Sequence, residues 1–474
     1  MTGEGQMNID TAKLNALIDS KRQAVLEFLR EAVSCSTPCN PEESGFHGPN
    51  FQHLVASKLT DMGFVPRVWI PEVKAIRSHY PTMGHTFTYE SRPNVVAVWR
   101  GTASSGGGGN GGSGGGNGAG SGVGGNADRG AGRGRSLVLN THADVYGPGN
   151  VDSWAYPPFA GRVEGGRVHG RGTVDAKGSV TAYLFALQCL REAGFEPAGD
   201  ITFQSVADEE GGGNGTMACI LEGYTGDAVL MGEPTGLAIS PGSRGATHLR
   251  LRVVGQEAHA GLAYEGVNAI AKTTLYMQAL WQLEGELDAK FKHPLWDPFP
   301  KAHTMNVEWI HSGGFGGVVP GFSEALMAVG CIGGESIADV RRWVTEAFAK
   351  VTEADPWLRE HPPELIWGPL AFEPSATDPR HPFVQTAVRA AREVLGRDVP
   401  VHALSAGSDM RFFCNQAGLP GLHFGPGDLR LAHSTREFVE LDEVMAAIKV
   451  LIRLIPDWTM GRHEEDAAGS GRAS

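Results

Sequence analysis

Apolar residues recur along this chain at two spacings, and the alternation between the spacings divides it into elements. Leu17, Val25, Leu26, Leu29 and Val33 share one side of a helix drawn from Leu14 to Val33. A second helix is expected from about Asn50 to Met62, with Gly63 as its natural cap. Short strand signals follow at Val65-Pro66-Arg67-Val68-Trp69 and Asn94-Val95-Val96-Ala97-Val98. Leu137-Val138-Leu139 is a continuous apolar run, the pattern of a strand covered on both faces. Val180, Tyr183, Leu184, Leu187 and Leu190 return to helical spacing, which stops at Gly194. Further runs at Ile201–Val206 and Val229–Met231 complete an alternation of strand and helix that predicts a helix-covered, largely parallel sheet.

Around Gly242-Ser243-Arg244-Gly245 the period changes. His248 to Val254 alternates polar and apolar residues, as a strand with one open face does. A helix is expected from about Val267 to Leu283, strands near Met305–Trp309 and Ser323–Val329, and a helix from Ile337 to Thr352. From about Pro363 the first pattern resumes and runs to a helix from Leu441 to Ile455. The fold class is therefore α/β: a mixed, largely parallel sheet domain (residues 1–242 and 357–474) with a smaller α+β unit (243–356) inserted in it.

Composition supports two domains and removes some function classes. A chain of 474 residues exceeds what one hydrophobic core usually serves, and 41% hydrophobic with 20% charged residues is a globular composition. The net charge of -13 argues against nucleic acid or an anionic membrane as a partner, and no window is long enough to span a bilayer. Cys35, Cys39, Cys189, Cys219, Cys331 and Cys414 show no disulfide framework, which suits free thiols in a reducing compartment; with no leader pattern at the start, cytoplasm is the expectation. Residues 102–135 are mostly glycine with serine and asparagine, lack a Gly-Lys-Ser/Thr ending, and are expected to be a disordered insertion, as is the charged tail.

The chemistry collects at predicted strand ends. His142 and Asp144 follow the run at Leu137, and Asp175 sits in the glycine-bounded turn Gly170-Arg171-Gly172-Thr173-Val174-Asp175-Ala176-Lys177-Gly178. Glu209 and Glu210 follow Ile201–Val206, Glu233 follows Val229–Met231, and His433 closes the turn after Leu422-His423-Phe424. Open α/β sheets bind ligands outside such strand ends. Two adjacent carboxylates there repel each other unless a cation relieves them. An imidazole, a carboxylate to orient it and a further carboxylate on a turn are components of a metal site.

In this order, His142, Asp175, Glu209-Glu210, Glu233 and His433 resemble the di-zinc exopeptidase and deacylase family of acetylornithine deacetylase, succinyl-diaminopimelate desuccinylase, aminoacylase and glutamate carboxypeptidase. The resemblance covers nearly all of the chain apart from its tails and the glycine tract. It implies two divalent ions, zinc first with cobalt or manganese as alternatives, bridged by Asp175. His142 and Glu233 would complete one ion, Glu210 and His433 the other, and Asp144 would accept the second imidazole N–H of His142. Glu209 would be the general base that takes a proton from a water activated by the ions and passes it to the leaving amine. The small unit corresponds to the family's lid, which implies a homodimer. His259, in Gly255-Gln256-Glu257-Ala258-His259-Ala260-Gly261, would stabilise the oxyanion in the partner subunit's site. Arg244 matches a residue that can bind a substrate carboxylate in trans. Asn268 and Arg411 are further substrate-binding candidates, Arg411 equally a structural ion pair.

One departure bears on substrate. Beside Val318-Val319-Pro320, deacylases of amino-acid substrates carry an asparagine and, further on, an arginine; Gly317 and Gly330 stand there in this chain. That removes a bidentate carboxylate clamp. The sequence is accordingly read as a metal-dependent amidohydrolase that removes an acyl or formyl group from an amine or amino acid of low molecular weight. A dipeptidase or carboxypeptidase of the same family is the alternative, and a non-catalytic binding protein on this fold the remote one.

Overall fold

The computed structural model describes residues 11–39, 50–72, 74–76, 92–102 and 134–461. The expected disorder of most of the glycine tract and of the charged tail lies outside these residues. The strands of the first half are β1 (Arg67–Trp69), β2 (Asn94–Trp99), β3 (Leu137–His142), β4 (Arg162–Glu164), β5 (Arg167–His169), β6 (Ile201–Val206) and β7 (Val229–Met231). The second half adds β8 (Gly242–Ser243), β9 (Gly245–Val254), β10 (Met305–Ser312), β11 (Phe322–Cys331) and β12 (Glu364–Phe372). It closes with β13 (Ser375–Ala376), β14 (Gly421–His423) and β15 (Phe438–Glu440).

The central sheet has the order β1-β2-β6-β3-β7-β14. Strands β6, β3, β7 and β14 run parallel, while β1 and β2 add an antiparallel margin. Every residue of β3, β6 and β7 is buried, because helices lie on both faces. Leu137 and Leu139 enter the larger core with the helices Gly178–Glu192 and Leu441–Thr459; Val138, on the other face, packs with Val229, Met231, Met410 and Phe413. This arrangement aims the carboxyl ends of β3, β6 and β7 at one rim.

The inserted unit carries an antiparallel sheet of order β10-β11-β9-β12. Burial along β9 alternates, with Leu249, Leu251 and Val253 turned inward on the helices Ala269–Lys290 and Ile337–Ala354. The expected return to the large domain at 357 comes later. Strand β12 pairs with β9 from Glu364↔Arg252 to Phe372↔Ala246, so it is the fourth strand of the small sheet. Its mixed apolar run, interrupted by Pro369, carries no clear period, and proline is tolerated there because β12 is an edge strand. The chain crosses back at β13, which pairs with β8. At the N-terminal end the single expected helix is two, Thr11–Ser20 and Arg22–Ser34, separated at Lys21.

Candidate metal centre

His142 ends β3 at 1% exposure, and its two ring nitrogens face different groups. Nδ1 lies 2.9 Å from the main-chain carbonyl of Asp144. A carbonyl only accepts, so Nδ1 carries a proton, which leaves Nε2 as the nitrogen that a metal ion would take. Nε2 points at Asp175 Oδ1 at 3.0 Å and has Glu233 Oε2 at 4.0 Å. This corrects the expected role of the Asp144 side chain. Its carboxylate is 3.9 Å from Nδ1 and instead accepts the Glu209 and Glu210 N–H groups, at 3.2 and 3.1 Å. The tautomer is fixed by backbone, and the side chain ties the β6 loop to the β3 loop.

Asp175 lies in a tight turn ahead of the helix Gly178–Glu192, and the Asp175–Ala176 peptide is cis. Its Oδ1 faces His142 while Oδ2 lies 3.4 Å from His433 Nε2. The same His433 nitrogen is 3.0 Å from Glu210 Oε1. Two triads therefore share one carboxylate, His142–Asp175–Glu233 and Asp175–Glu210–His433, each with its ligand atoms within 4.8 Å of one another. One imidazole and two carboxylates per triad, joined through the two oxygens of Asp175, form a donor set that fits a pair of divalent ions.

Electrostatics point the same way. Burial alone would lower the His433 pKa, but hydrogen bonds to Asp175 and Glu210 raise it to about 11. Burial opposes, and the Asp175 hydrogen bond with the Glu233 charge overrides, so His142 is also held well above its ordinary value. Burial, then Asp409 and Glu233, push Glu209 well up; burial pushes Glu233 well up too and raises Glu210. Asp175 is the exception: both imidazoles outweigh its burial and lower it. Carboxylates that resist ionisation in one pocket are what an added dication would stabilise.

Backbone conformation serves the site. Asp208 and His433 hold positive φ, 69° and 57°, a conformation with a steric cost for residues bearing a Cβ. Glu437, unremarked in the sequence, is the hub of the Asp175 turn. Its Oε1 accepts from the N–H groups of Gly172, Val174 and Asp175 at 2.9, 3.0 and 3.3 Å, and its Oε2 from Arg171 at 2.5 Å. Antiparallel pairing of β15 with β5 brings it there, a contact across more than 260 residues that no local pattern signals.

The remaining candidates bond to groups other than the ligand side chains. Arg411 is buried, donates to the carbonyls of Ser408 and Gly212 at 2.9 Å each, sits 3.4 Å from Asp409 and stacks on Phe372 and Phe412. These are the contacts expected of the structural alternative. Asn268 caps the helix Ala269–Lys290 through Oδ1, which accepts from Ile270 and Ala271. Arg244 is also buried and donates to Thr304 Oγ1 and the Lys301 carbonyl. A Cβ on Gly330 would stand 3.0 Å from Thr304 Oγ1 and 3.4 Å from Arg244 Cδ, so Arg244 and Thr304 crowd the place of a longer residue there. His259 is exposed, with Nδ1 accepting the Gly261 N–H at 3.1 Å. All six cysteines are free, and among the described residues no helix is long and apolar enough to cross a membrane.

A family model described as peptidase family M20/M25/M40 matches residues 138–457. Over 464 residues the chain is 27% identical to an N-formyl-4-amino-5-aminomethyl-2-methylpyrimidine deformylase of Halalkalibacterium halodurans, covering 94% of this chain and 97% of that one. Its counterpart from Bacillus subtilis is 25% identical over 470 residues, with 95% and 98% covered. A di-peptidase of Saccharomyces cerevisiae shares the fold with a TM-score of 0.69 at 13% identity, over 96% of this chain and 100% of that chain.

Proposed function

We propose, from the premise that this chain belongs to peptidase family M20/M25/M40, that it is a metal-dependent amidohydrolase releasing a formyl or other small acyl group from an amine. The shared carboxylate of two histidine-containing triads carries this reading, and the names of the relatives matched along nearly their whole length support its non-peptide direction. His142, Asp175 and Glu233 would hold one ion and Asp175, Glu210 and His433 the other, zinc being the expected metal for this nitrogen and oxygen donor set. When bound, such a pair supplies Lewis acidity that polarises the amide carbonyl and makes a water acidic enough to attack near neutral pH.

The chain's own residues do the rest. Glu209, buried beside Asp409 and Glu233, has a raised proton affinity and takes the proton that the attacking water gives up. It returns that proton to the amine nitrogen as the C–N bond breaks, leaving a carboxylic acid and a free amine. Asp144 holds the Glu209 and Glu210 backbone in register, and Glu437 holds the turn that presents Asp175. Arg244, buried on protein partners, is not offered to a substrate carboxylate within one subunit.

A panel of N-formyl amines, N-acyl amines, N-acyl amino acids and dipeptides, turned over by zinc-loaded protein, tests this reading. Turnover is expected on formyl or acyl amines, with Glu209→Ala costing roughly a thousandfold or more in kcat while metal content stays near that of the parent. Hydrolysis of dipeptides alone would replace the reading by the peptidase one, and loss of an ion in Glu209→Ala would make Glu209 a ligand.

The lid is further proposed to pair two subunits. Leu262, Tyr264 and Phe315 expose 47%, 79% and 88% of their surface near His259 and Val318, which form one bridge. Such apolar exposure suits a two-fold contact. Mixing His259→Ala with Glu209→Ala protein should recover activity in the mixed dimer if His259 acts on the partner's site; no recovery after confirmed exchange would end that idea.

A further inference from the structure

Tyr146 stands two residues beyond Asp144, and neither the metal centre nor the proton transfers above use it. Its ring lies flat on His433, centroids 4.4 Å apart and planes 16° from parallel. Half of its surface, 50%, is nevertheless exposed. An exposed aromatic side chain is ordinarily free to move, but here the backbone on both sides is fastened. Val145 donates to the Thr37 carbonyl at 2.9 Å and accepts from Cys39 N–H at 2.8 Å, forming a bridge with Pro38. On the other side, Gly147 O accepts from Arg171 at 3.1 Å and Pro148 O from the Trp154 indole at 2.8 Å. The phenol ring is thus a fixed plane one ring away from a metal-ligand candidate.

The charges around it narrow what can lie there. Arg171, Lys177 and Arg411, the cations interleaved with the ligand residues, are buried and donate to protein oxygens. A substrate meeting this rim finds an aromatic face and carboxylates, with none of these three cations turned toward a carboxylate of its own.

We infer that Tyr146 is a specificity-determining platform, and that the amine half of the substrate is a planar aromatic or heteroaromatic ring, without a carboxylate, joined by a short link to the nitrogen of the scissile amide. This rests on the deacylase reading above. Ring on ring, offset-stacked, the substrate gains the exposed face of Tyr146 while its amide reaches the two triads. An aliphatic amine of the same size gains less, because it lacks the flat quadrupolar face.

Two measurements separate this inference from the reading beneath it. Benzylamine and cyclohexylmethylamine, equal in size and different in planarity, are titrated calorimetrically into zinc-loaded parent, Tyr146→Phe and Tyr146→Leu proteins, which needs no turnover. The parent is expected to prefer benzylamine roughly three- to tenfold, within the range of one aromatic pair. Tyr146→Phe should keep that preference and Tyr146→Leu lose it, both with the parent's metal content. With the N-formyl derivatives, Tyr146→Leu should raise KM for the aromatic substrate by the same factor, with a smaller change in kcat, and leave the aliphatic substrate's KM nearly unmoved. No preference in the parent, or a preference that survives in Tyr146→Leu, overturns the inference. Loss of metal in Tyr146→Leu overturns it too, since Tyr146 would then act through His433. If neither formyl amine is hydrolysed by the parent, the deacylase reading fails, while the amine titrations still decide the platform.

Discussion

Two clusters in this protein set histidine among carboxylates, and they are built to opposite ends. At the base of the inserted unit, His303 is wholly buried between Asp288, 2.9 Å from Nδ1, and Glu335, 2.9 Å from Nε2. Each of those carboxylates also takes a main-chain N–H, from His303 and Ile332, at 2.8 and 3.0 Å. Nearby Glu284 pairs with Lys301 and accepts from the Met305 N–H. Both nitrogens of His303 face acceptors, which only the imidazolium satisfies; burial opposes this and the two carboxylates prevail, raising its pKa. The cluster satisfies itself.

The metal centre does not. Asp175, Glu209, Glu210 and Glu233 gather round two imidazoles, and three of the four carboxyls are pushed upward by burial and by one another. A surplus of buried carboxylate, rather than the presence of histidine beside acid, marks the place where a cation belongs. Among the described residues only the triads around Asp175 bring three ligand atoms together.

The largest effect should come from the shared ligand. Asp175→Asn is expected to lower metal content at both triads and to cut kcat roughly ten-thousandfold, the scale of losing an essential group. Metal analysis beside steady-state kinetics checks it, and normal metal content would show that the triads are independent. His303→Leu should do the reverse, leaving both ions in place and destabilising the lid by about 3–5 kcal/mol through two stranded carboxylates. Denaturant unfolding with parallel metal analysis reads both. Lost metal there would erase the distinction between the clusters.

A smaller effect follows from pH. The folded pKa of His303 lies above its ordinary 6.5, so the stability it contributes is fully present below pH 6.5 and is lost as pH rises through the folded value. The stability gap between parent and His303→Leu should therefore narrow on the alkaline side; a gap flat with pH would mean that His303 is neutral in the fold. The smallest effect is expected from deleting residues 104–125, whose glycine-dense, apolar-poor sequence gives them little to pack. Metal content and Tm should stay at parental values, and a fall in either would show that the tract supports one of the clusters.

Much of the site was legible because its signals are local. A continuous apolar run such as Leu137-Val138-Leu139 declares a doubly covered strand, and the residues after such strands fall at one rim of a parallel sheet. His142, Glu210 and Glu233 are marked in this way, while Asp175, in a glycine-bounded turn, and His433, well beyond its strand, join them through the family resemblance. The edge strand β12 is not so marked, because Pro369 and a register shift between Trp367 and Ala371 blur its period. Asn268 and Arg411 stayed ambiguous in the sequence because a helix cap and a buried ion pair use the same residue types as a binding site.

By itself, the sequence determined the α/β class with its largely parallel sheet, most of the element types and, with the family resemblance, the ligand candidates, since periodicity and strand-end position are properties of neighbouring residues. What each polar atom is bonded to was decided only in three dimensions. Glu437 reaches Asp175 across more than 260 residues, the Asp144 carboxylate turns to backbone N–H groups rather than to His142, and Tyr146 meets His433 through a folded loop. Hydrogen bonds and stacking are short-ranged and directional. Their partners are set by where distant segments come to rest, which no spacing along the chain records.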